Sequence, residues 1–250
     1  TESTLKEWGA KIWTVGRDFG TIAGRKHGIE VEVTTYRTEE YEESSRKPTV
    51  SFGDSLEGDL SRRDFTVNAM AMRLPNMAMV DPFNGLEDLA AGILQTPVSA
   101  TQSFSDDPLR IMRAARFAAQ LGIDVSEEVM AAMTSERERL RIVSAERIRT
   151  ELEKLIVSKY PRRGLELLVY TGVADIVLQE LSGLVATVDE HGRHKDVYEH
   201  TLTVLDQAID LETDQDGPVP GPDFILRFAA LMHDIGKPAT RKFEGRQVTS

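Results

Sequence analysis

The chain has no cysteine among its 250 residues. That excludes disulfides and thiolate metal centres, and it suits a reducing cytosol. No run of about 18 apolar residues occurs, so no transmembrane helix is expected. The residues from Thr1 to Leu5 show no basic segment followed by an apolar one, which speaks against a secretory leader. Positive charge is scarce: 30 Lys and Arg face 41 Asp and Glu, for a net charge of -11. An acidic total argues against a nucleic-acid partner, but the distribution matters more than the sum. Basic residues concentrate between Arg110 and Arg163, whereas only Arg193 and Lys195 oppose the acidic stretch from Asp175 to Asp223. A local basic surface on an acidic protein is compatible with RNA.

With 40% hydrophobic residues the chain can build real cores, and its length fits about two domains. Lys11–Val15 and Glu30–Tyr36 carry β-branched or aromatic residues in near-alternation, the signature of strands. Gly16, Gly20, Gly24 and Gly28 read as turns, and lone His27 as a loop residue. Residues 38–52, rich in Glu, Ser, Arg and Lys, have little to bury and are expected to form a mobile loop. Met77–Val80 is a further short strand, and Asp81–Gly85 a turn.

Beyond that point the periodicity turns helical. Asp107 is expected as an N-cap, with Pro108 at the first helical position. Ile111, Ala114, Ala115, Ala118 and Leu121 follow at helical spacing up to Gly122. Ser126 and Ser144 open two more helices, and Pro161 a fourth that ends near Gly172. Asp, Gly and Pro make residues 213–222 a loop. The pattern is α+β, a small sheet unit followed by helices.

Three segments carry chemistry. In Arg62-Arg-Asp-Phe-Thr-Val-Asn-Ala-Met70, arginines can grip phosphates, a carboxylate can accept from ribose hydroxyls, and Asn68 can fix the backbone. A helix with a charged start and Phe65 and Val67 facing inward explains the same residues. In Asp106–Phe117, Arg110, Arg113 and Arg116 step by three. Asp107 beside Arg110 offers an acceptor and donors that can read a base edge, although a cap plus a surface ion pair is the plainer alternative. The third is histidine: His200 on one helix and His233-Asp234 at the end of another suit Mg, Mn, Ni or Fe better than a closed zinc site. His191 and His194 read as surface residues.

Together the first two segments resemble the class II tRNA nucleotidyltransferase and bacterial poly(A) polymerase family. The likeness extends to Asp81–Asp88, Ser144–Glu151 and Glu30–Arg37, and is greatest to actinobacterial CCA-adding enzymes. It implies a partial polymerase-β-like nucleotidyltransferase head over residues 1–85. A helical neck and body would span 86–185, and a truncated HD domain 186–250. Arg63 and Asp64 would contact triphosphate and ribose with support from Asn68. Asp107 and Arg110 would pair with the base of CTP or ATP, Arg113 and Arg116 would hold the nucleotide, and Glu32 would assist the metal site. His200, His233 and Asp234 would be HD ligands for a divalent metal. The implied reaction is metal-dependent addition of CMP and AMP to the 3′ end of tRNA in the cytoplasm, by attack of the 3′-hydroxyl on the α-phosphate. A poly(A) polymerase, or an HD phosphohydrolase with an RNA-binding N-terminal half, are the alternatives.

The sequence also departs from the family pattern. Asn84-Gly85 replaces a Gly-Gly turn, which is mild because Asn tolerates left-handed backbone. There is no Gly-Gly phosphate turn, and the one Asp-x-Asp, Asp214-Gln-Asp216, sits in an acidic loop. Glu32 alone cannot hold two Mg2+ ions, so these residues alone are expected to be inactive in transfer. The family's last HD aspartate is likewise expected beyond Ser250. Arg139, Arg141, Arg147, Arg149, Lys159, Arg162 and Arg163 are candidate contacts to tRNA phosphates, with solvated helix faces as the alternative.

Overall fold

The computed structural model describes residues 2–8, 11–13, 20–42, 45–53, 55–185, 197–214, 216–240, 242–244 and 247–249. A short helix, α1 (Glu2–Glu7), precedes an antiparallel sheet of β1 (Lys11–Trp13), β2 (Thr21–Lys26) and β3 (Ile29–Thr34) in that order. Gly24 lies within β2, opposite Ile12 and Val31, and not in a turn. Partners on both sides hold this central strand despite glycine's weak strand preference. His27 (φ 51°) and Gly28 (φ 80°) make the tight turn between β2 and β3, the left-handed pair that a two-residue hairpin requires.

The expected loop at 38–52 is instead a hairpin of β4 (Arg37–Glu42) and β5 (Ser45–Phe52). Pairing runs from Arg37↔Phe52 to Glu42↔Ser45, with a register shift between Glu40 and Glu42. In a two-stranded antiparallel ribbon every second residue exchanges backbone hydrogen bonds with the partner strand, whatever the polarity of its side chain. Pro48, which cannot donate to a ladder, falls where the register shifts.

Next come α2 (Leu56–Ser61), a 3₁₀ turn at Thr66–Asn68, and the hairpin β6 (Ala71–Arg73) with β7 (Ala78–Val80). They lead to α3 (Gly85–Ala91) and β8 (Ile93–Leu94). Asp81 accepts from the N–H groups of Gly85 (2.8 Å) and Leu86 (2.9 Å), which satisfies two orphan donors at the start of α3. Asn84 is left-handed (φ 60°). Gly85 packs so closely on the 3₁₀ turn that a Cβ would stand 2.2 Å from the Thr66 carbonyl oxygen. The turn at 81–85 is thus pinned at both ends.

The helical part begins with α4 (Ala100–Asp106) and α5 (Leu109–Leu121). There follow β9 (Asp124–Val125), parallel to β8, then α6 (Glu127–Glu136), α7 (Ala145–Ile156) and α8 (Pro161–Tyr170). The short helices α9 (Ala174–Val177) and α10 (Gln179–Ser182) precede α11 (Val197–Asp210), α12 (Phe224–Met232), α13 (Lys237–Thr240) and the strands β10 (Lys242–Glu244) and β11 (Gln247–Thr249). The helix starts expected at Ser126, Ser144 and Pro161 are all present, and Ser126 caps by accepting from Val129 N–H at 3.2 Å. Asp107 is extended (φ -135°), Pro108 after it is already helical, and the Asp107 carboxylate accepts the Leu109 N–H at 3.3 Å, so Asp107 caps α5 as expected.

The core runs as one cluster from Phe65 through α4 to α12 and is centred on α5, where Ile111, Met112, Ala114, Ala115 and Ala119 are fully buried. The small residues of α5 let α8 approach until a Cβ on Gly164 would be 2.7 Å from the Ala115 carbonyl. The β1–β3 sheet adds little to this core, because Glu30, Glu32 and Thr34 face solvent. No described helix is long and apolar enough to cross a membrane.

Candidate nucleotide-binding site

α2, the segment after it and α5 converge. Asp59, buried on α2, accepts from Arg62 (2.6 Å) and more distantly from Arg63 (3.4 Å). Its spacing of three and four residues from these arginines is the ordinary reach of one helical turn. Asp64, also buried, receives the Phe65 N–H (2.9 Å) and the Asn68 amide (3.2 Å) on one oxygen. Its other oxygen meets Arg113 from α5 at 2.5 Å. Arg110, 8% exposed, donates to Ser103 Oγ (2.8 Å) and reaches across to the Arg62 carbonyl (2.5 Å). Arg116 pairs with Glu151 of α7 at 2.6 Å. Both are close ion pairs, and at Arg116 the Coulombic pull of Glu151 is joined by a side-chain hydrogen bond.

Beneath these charges, Phe65 meets Phe117 edge to face at 5.6 Å, and the Arg116 guanidinium lies 4.1 Å from the centre of the Phe117 ring. Burial pushes the Arg116 pKa down, against the pull of Glu151. The guanidinium stays charged, but its counter-ion matters more than at a surface.

The sequence-predicted residues Arg63, Asp64, Asn68, Arg110, Arg113 and Arg116 therefore gather in one place. Asp107 adjoins them, its carboxylate accepting the Leu109 N–H at 3.3 Å. The expected side-by-side pair of Asp107 and Arg110 is not formed, because Arg110 is turned onto Ser103 and Arg62. Glu32 stands exposed on β3 opposite Ala23. No hydrogen bond or ion pair among the described residues joins it to the arginines. Sequence reasoning missed Asp59, Ser103 and Glu151. Asp59 was detectable from its helical spacing to Arg62 and Arg63, but Ser103 and Glu151 meet their arginines only through tertiary packing.

Among the described residues no group of carboxylates suits a two-magnesium site. Among the described residues, the one group of metal-ligating side chains is His200, His233 and Asp234, with ligand atoms within 4.8 Å of one another. That trio does fit a cation. Asp234 Oδ2 is buried without a hydrogen bond, yet lies 3.1 Å from His233 Nε2, 3.8 Å from His200 Nε2 and 2.8 Å from the Lys237 ammonium. His233 Nδ1 contacts the Ala230 carbonyl at 2.7 Å, which favours the tautomer that leaves Nε2 free as a ligand. Mn2+ added to the protein is expected to broaden the imidazole resonances of His200 and His233 before that of His27. Equal broadening of all three would rule against a site here.

The basic residues after Arg137 are largely engaged. Arg139 donates to the Ser105 carbonyl (2.8 Å), Arg141 pairs with Glu138, and Arg149 with Glu153. Arg162 holds Glu166, Glu199 and Asp206, and Arg163 holds Asp124 and the Gly122 carbonyl. Arg162 and Arg163 border a cavity of about 990 Å³ between α5, α8 and α11. His191 and His194 lie outside the described residues. Asp214 and Asp216 are exposed, as expected of solvated surface.

Comparison with known proteins matches residues 1–95 to the poly A polymerase head domain. Residues 122–184 match the probable RNA and SrmB-binding site of polymerase A, and 197–248 the HD domain. A CCA-adding enzyme of Streptococcus gordonii is 41% identical over 177 residues, covering 70% of this chain and 44% of that protein. One from a Geobacillus strain is 44% identical over 164 residues, covering 65% and 40%. The chain thus spans less than half the length of these curated relatives. Among solved structures, an apo CCA-adding enzyme is similar with a TM-score of 0.70 at 26% identity, covering 94% of this chain and 52% of that one. The Bacillus stearothermophilus CCA-adding enzyme in complex with CTP is similar with a TM-score of 0.59 at 26% identity, covering 92% and 65%.

Proposed function

Because the chain belongs to the family of tRNA nucleotidyltransferases and bacterial poly(A) polymerases, we propose that it is the part of a CCA-adding enzyme that selects CTP or ATP and holds the tRNA. The observation that carries this reading is the double grip of α5 on the Arg62–Asn68 segment. Arg113 holds the Asp64 carboxylate and Arg110 the Arg62 carbonyl, so the phosphate- and ribose-contacting residues and the base-reading helix are one unit. Arg63, half exposed beside this anchor, is placed to meet a triphosphate, and Asp64 a ribose hydroxyl. Reading a base requires Arg110 to leave Ser103 and turn toward Asp107. Its guanidinium would then donate, and the carboxylate accept, along one base edge.

In this reading residues 1–85 are head, 86–185 neck and body, and 186–250 part of an HD domain. Magnesium is the expected ion of the transfer reaction, but no step is assigned to it with the residues present, and a protein of these residues alone is expected to be inactive in nucleotide addition. The RNA contacts on α7 and α8 would form by exchanging carboxylate partners for phosphates, in the cytoplasm where tRNA and nucleotides are available. Relatives named CCA-adding enzymes favour this over a polymerase that accepts ATP alone, and over an HD phosphohydrolase.

Calorimetry with the four ribonucleoside triphosphates tests it. CTP and ATP are expected to bind and GTP and UTP not, and Arg110→Ala should weaken both productive ligands about tenfold or more. Equal binding of all four, or full affinity in the variant, would sink the base-reading assignment.

A further inference from the structure

Glu151 has no part in the expected site, yet it is the only buried carboxylate among the described residues that α7 directs at the α5 arginines. Its side chain is 9% exposed and that of its partner Arg116 is 12% exposed. Lys154, more distant at 3.7 Å, flanks the other oxygen from solvent. Arg116 also donates to Gln120 at 3.0 Å and lies 4.1 Å from the centre of the Phe117 ring, which in turn abuts Phe65, next to Asp64. We infer that Glu151 is a positioning residue of the nucleotide site, acting through Arg116. The inference rests on the proposed function for its ligand, but not for its geometry.

The physical case is one of competition. Arg116 feels repulsion from Arg113 and attraction from both Glu151 and Asp64. While Glu151 is charged, Arg116 is satisfied on the α7 side, and Asp64 is left to Arg113, Asn68 and the Phe65 N–H. Without that charge, a desolvated guanidinium has no counter-ion on its own side. The nearest carboxylate is then Asp64, already shared with Arg113. Two arginines contending for Asp64 would draw it off the Asn68 and Phe65 donors, and so disturb the group proposed to meet the ribose. Glu151 thus partitions the cations, leaving one arginine to each carboxylate. It also ties a helix of the RNA-binding segment to the nucleotide site, since α7 carries Arg147 and Arg149 on its exposed surface.

The test compares the 250-residue protein with Glu151→Gln, Arg116→Gln and the double variant. Two readouts are used: calorimetry with CTP, and the arginine Nε–H resonances in nitrogen-resolved NMR. The wild-type Arg116 Nε–H is expected to be a slowly exchanging, shifted signal that Glu151→Gln collapses toward the solvent-exposed set. The Arg113 signal should shift at the same time. CTP affinity should fall about tenfold in Glu151→Gln, and the double variant should bind CTP no more weakly than Arg116→Gln alone, because Glu151 acts only through Arg116. A merely structural Glu151 would weaken binding further when removed from the Arg116→Gln protein, and this result would overturn the proposal. So would an Arg116 signal unchanged in Glu151→Gln. If wild-type protein binds no nucleotide, the functional reading falls, while the NMR arm still decides whether Glu151 holds Arg116 off Asp64.

Discussion

Gly85→Ala is expected to lower stability by about 3 kcal/mol or more, near the top of the range for overpacking a well-filled site. The added Cβ would sit 2.2 Å from the Thr66 carbonyl oxygen and 2.8 Å from its carbon, inside any real contact distance. A backbone carbonyl cannot rotate away as a side-chain tip could. Thr66 is also fixed by its N–H on the Gln95 carbonyl (2.9 Å) and its hydroxyl on Asp88 (2.6 Å). Relief therefore means separating α3 from the 3₁₀ turn, which ends at Asn68 and would carry Asp64 with it. Thermal unfolding should drop by roughly 5–10 °C, and CTP binding should weaken too. Asn84→Gly is the control, since glycine occupies the same left-handed backbone (φ 60°) without strain, and should cost little. A Gly85→Ala protein that melts within a degree or two of the parent would show that the close approach is not obligatory.

Arg227→Met should be comparably damaging, about 3–5 kcal/mol at neutral pH, because it leaves a charge without its partner in the interior. Arg227 is 5% exposed and donates to Glu212 at 2.7 and 2.6 Å, and to the carbonyls of Ile156 (2.9 Å) and Ser158 (2.7 Å) at the end of α7. It is the bolt between α12 and α7. The Arg227 guanidinium holds the Glu212 pKa below the usual carboxylate range, burial opposes this, and the Asp223 N–H assists. With the folded pKa depressed, the stabilisation is fully present above the ordinary glutamate value of about 4.3. It is lost as pH falls through the lower, folded value. In the variant, only the Asp223 N–H still opposes burial at Glu212, so its pKa rises and acidification costs the folded state far less there. The gap between the two proteins, measured by urea unfolding, should be wide at pH 7 and narrow toward pH 4. A gap independent of pH would mean that lost packing, not the ion pair, accounts for the effect.

Most of the helical body was legible in the sequence because its signals are local. Ser126, Ser144 and Pro161 mark helix starts, and Gly122 and Gly172, both left-handed, mark stops. The hairpin at 37–52 was hidden because charged residues suit a solvated ribbon as well as they suit a loop. What separates the two is backbone pairing between segments. Gly24 misled for a related reason, since a central strand takes its stability from neighbours on both sides. The family resemblance, and with it Arg63, Asp64, Asn68 and the α5 arginines, came from ordered motifs.

What the sequence determined by itself was therefore the longer helices from α5 onward, the family resemblance and the inventory of candidate arginines and histidines. Each depends on residues close together in the chain, or on motifs in order. Which carboxylate holds which arginine was decided only by the tertiary structure. Glu151 reaches Arg116, Asp64 reaches Arg113, and Arg110 turns to Ser103 and the Arg62 carbonyl in place of Asp107. Charge pairing is promiscuous in sequence, since any acid can meet any base. Close packing of α5 against α7, α8 and the Phe65 segment removes that freedom, by leaving each buried guanidinium one carboxylate or carbonyl set within reach.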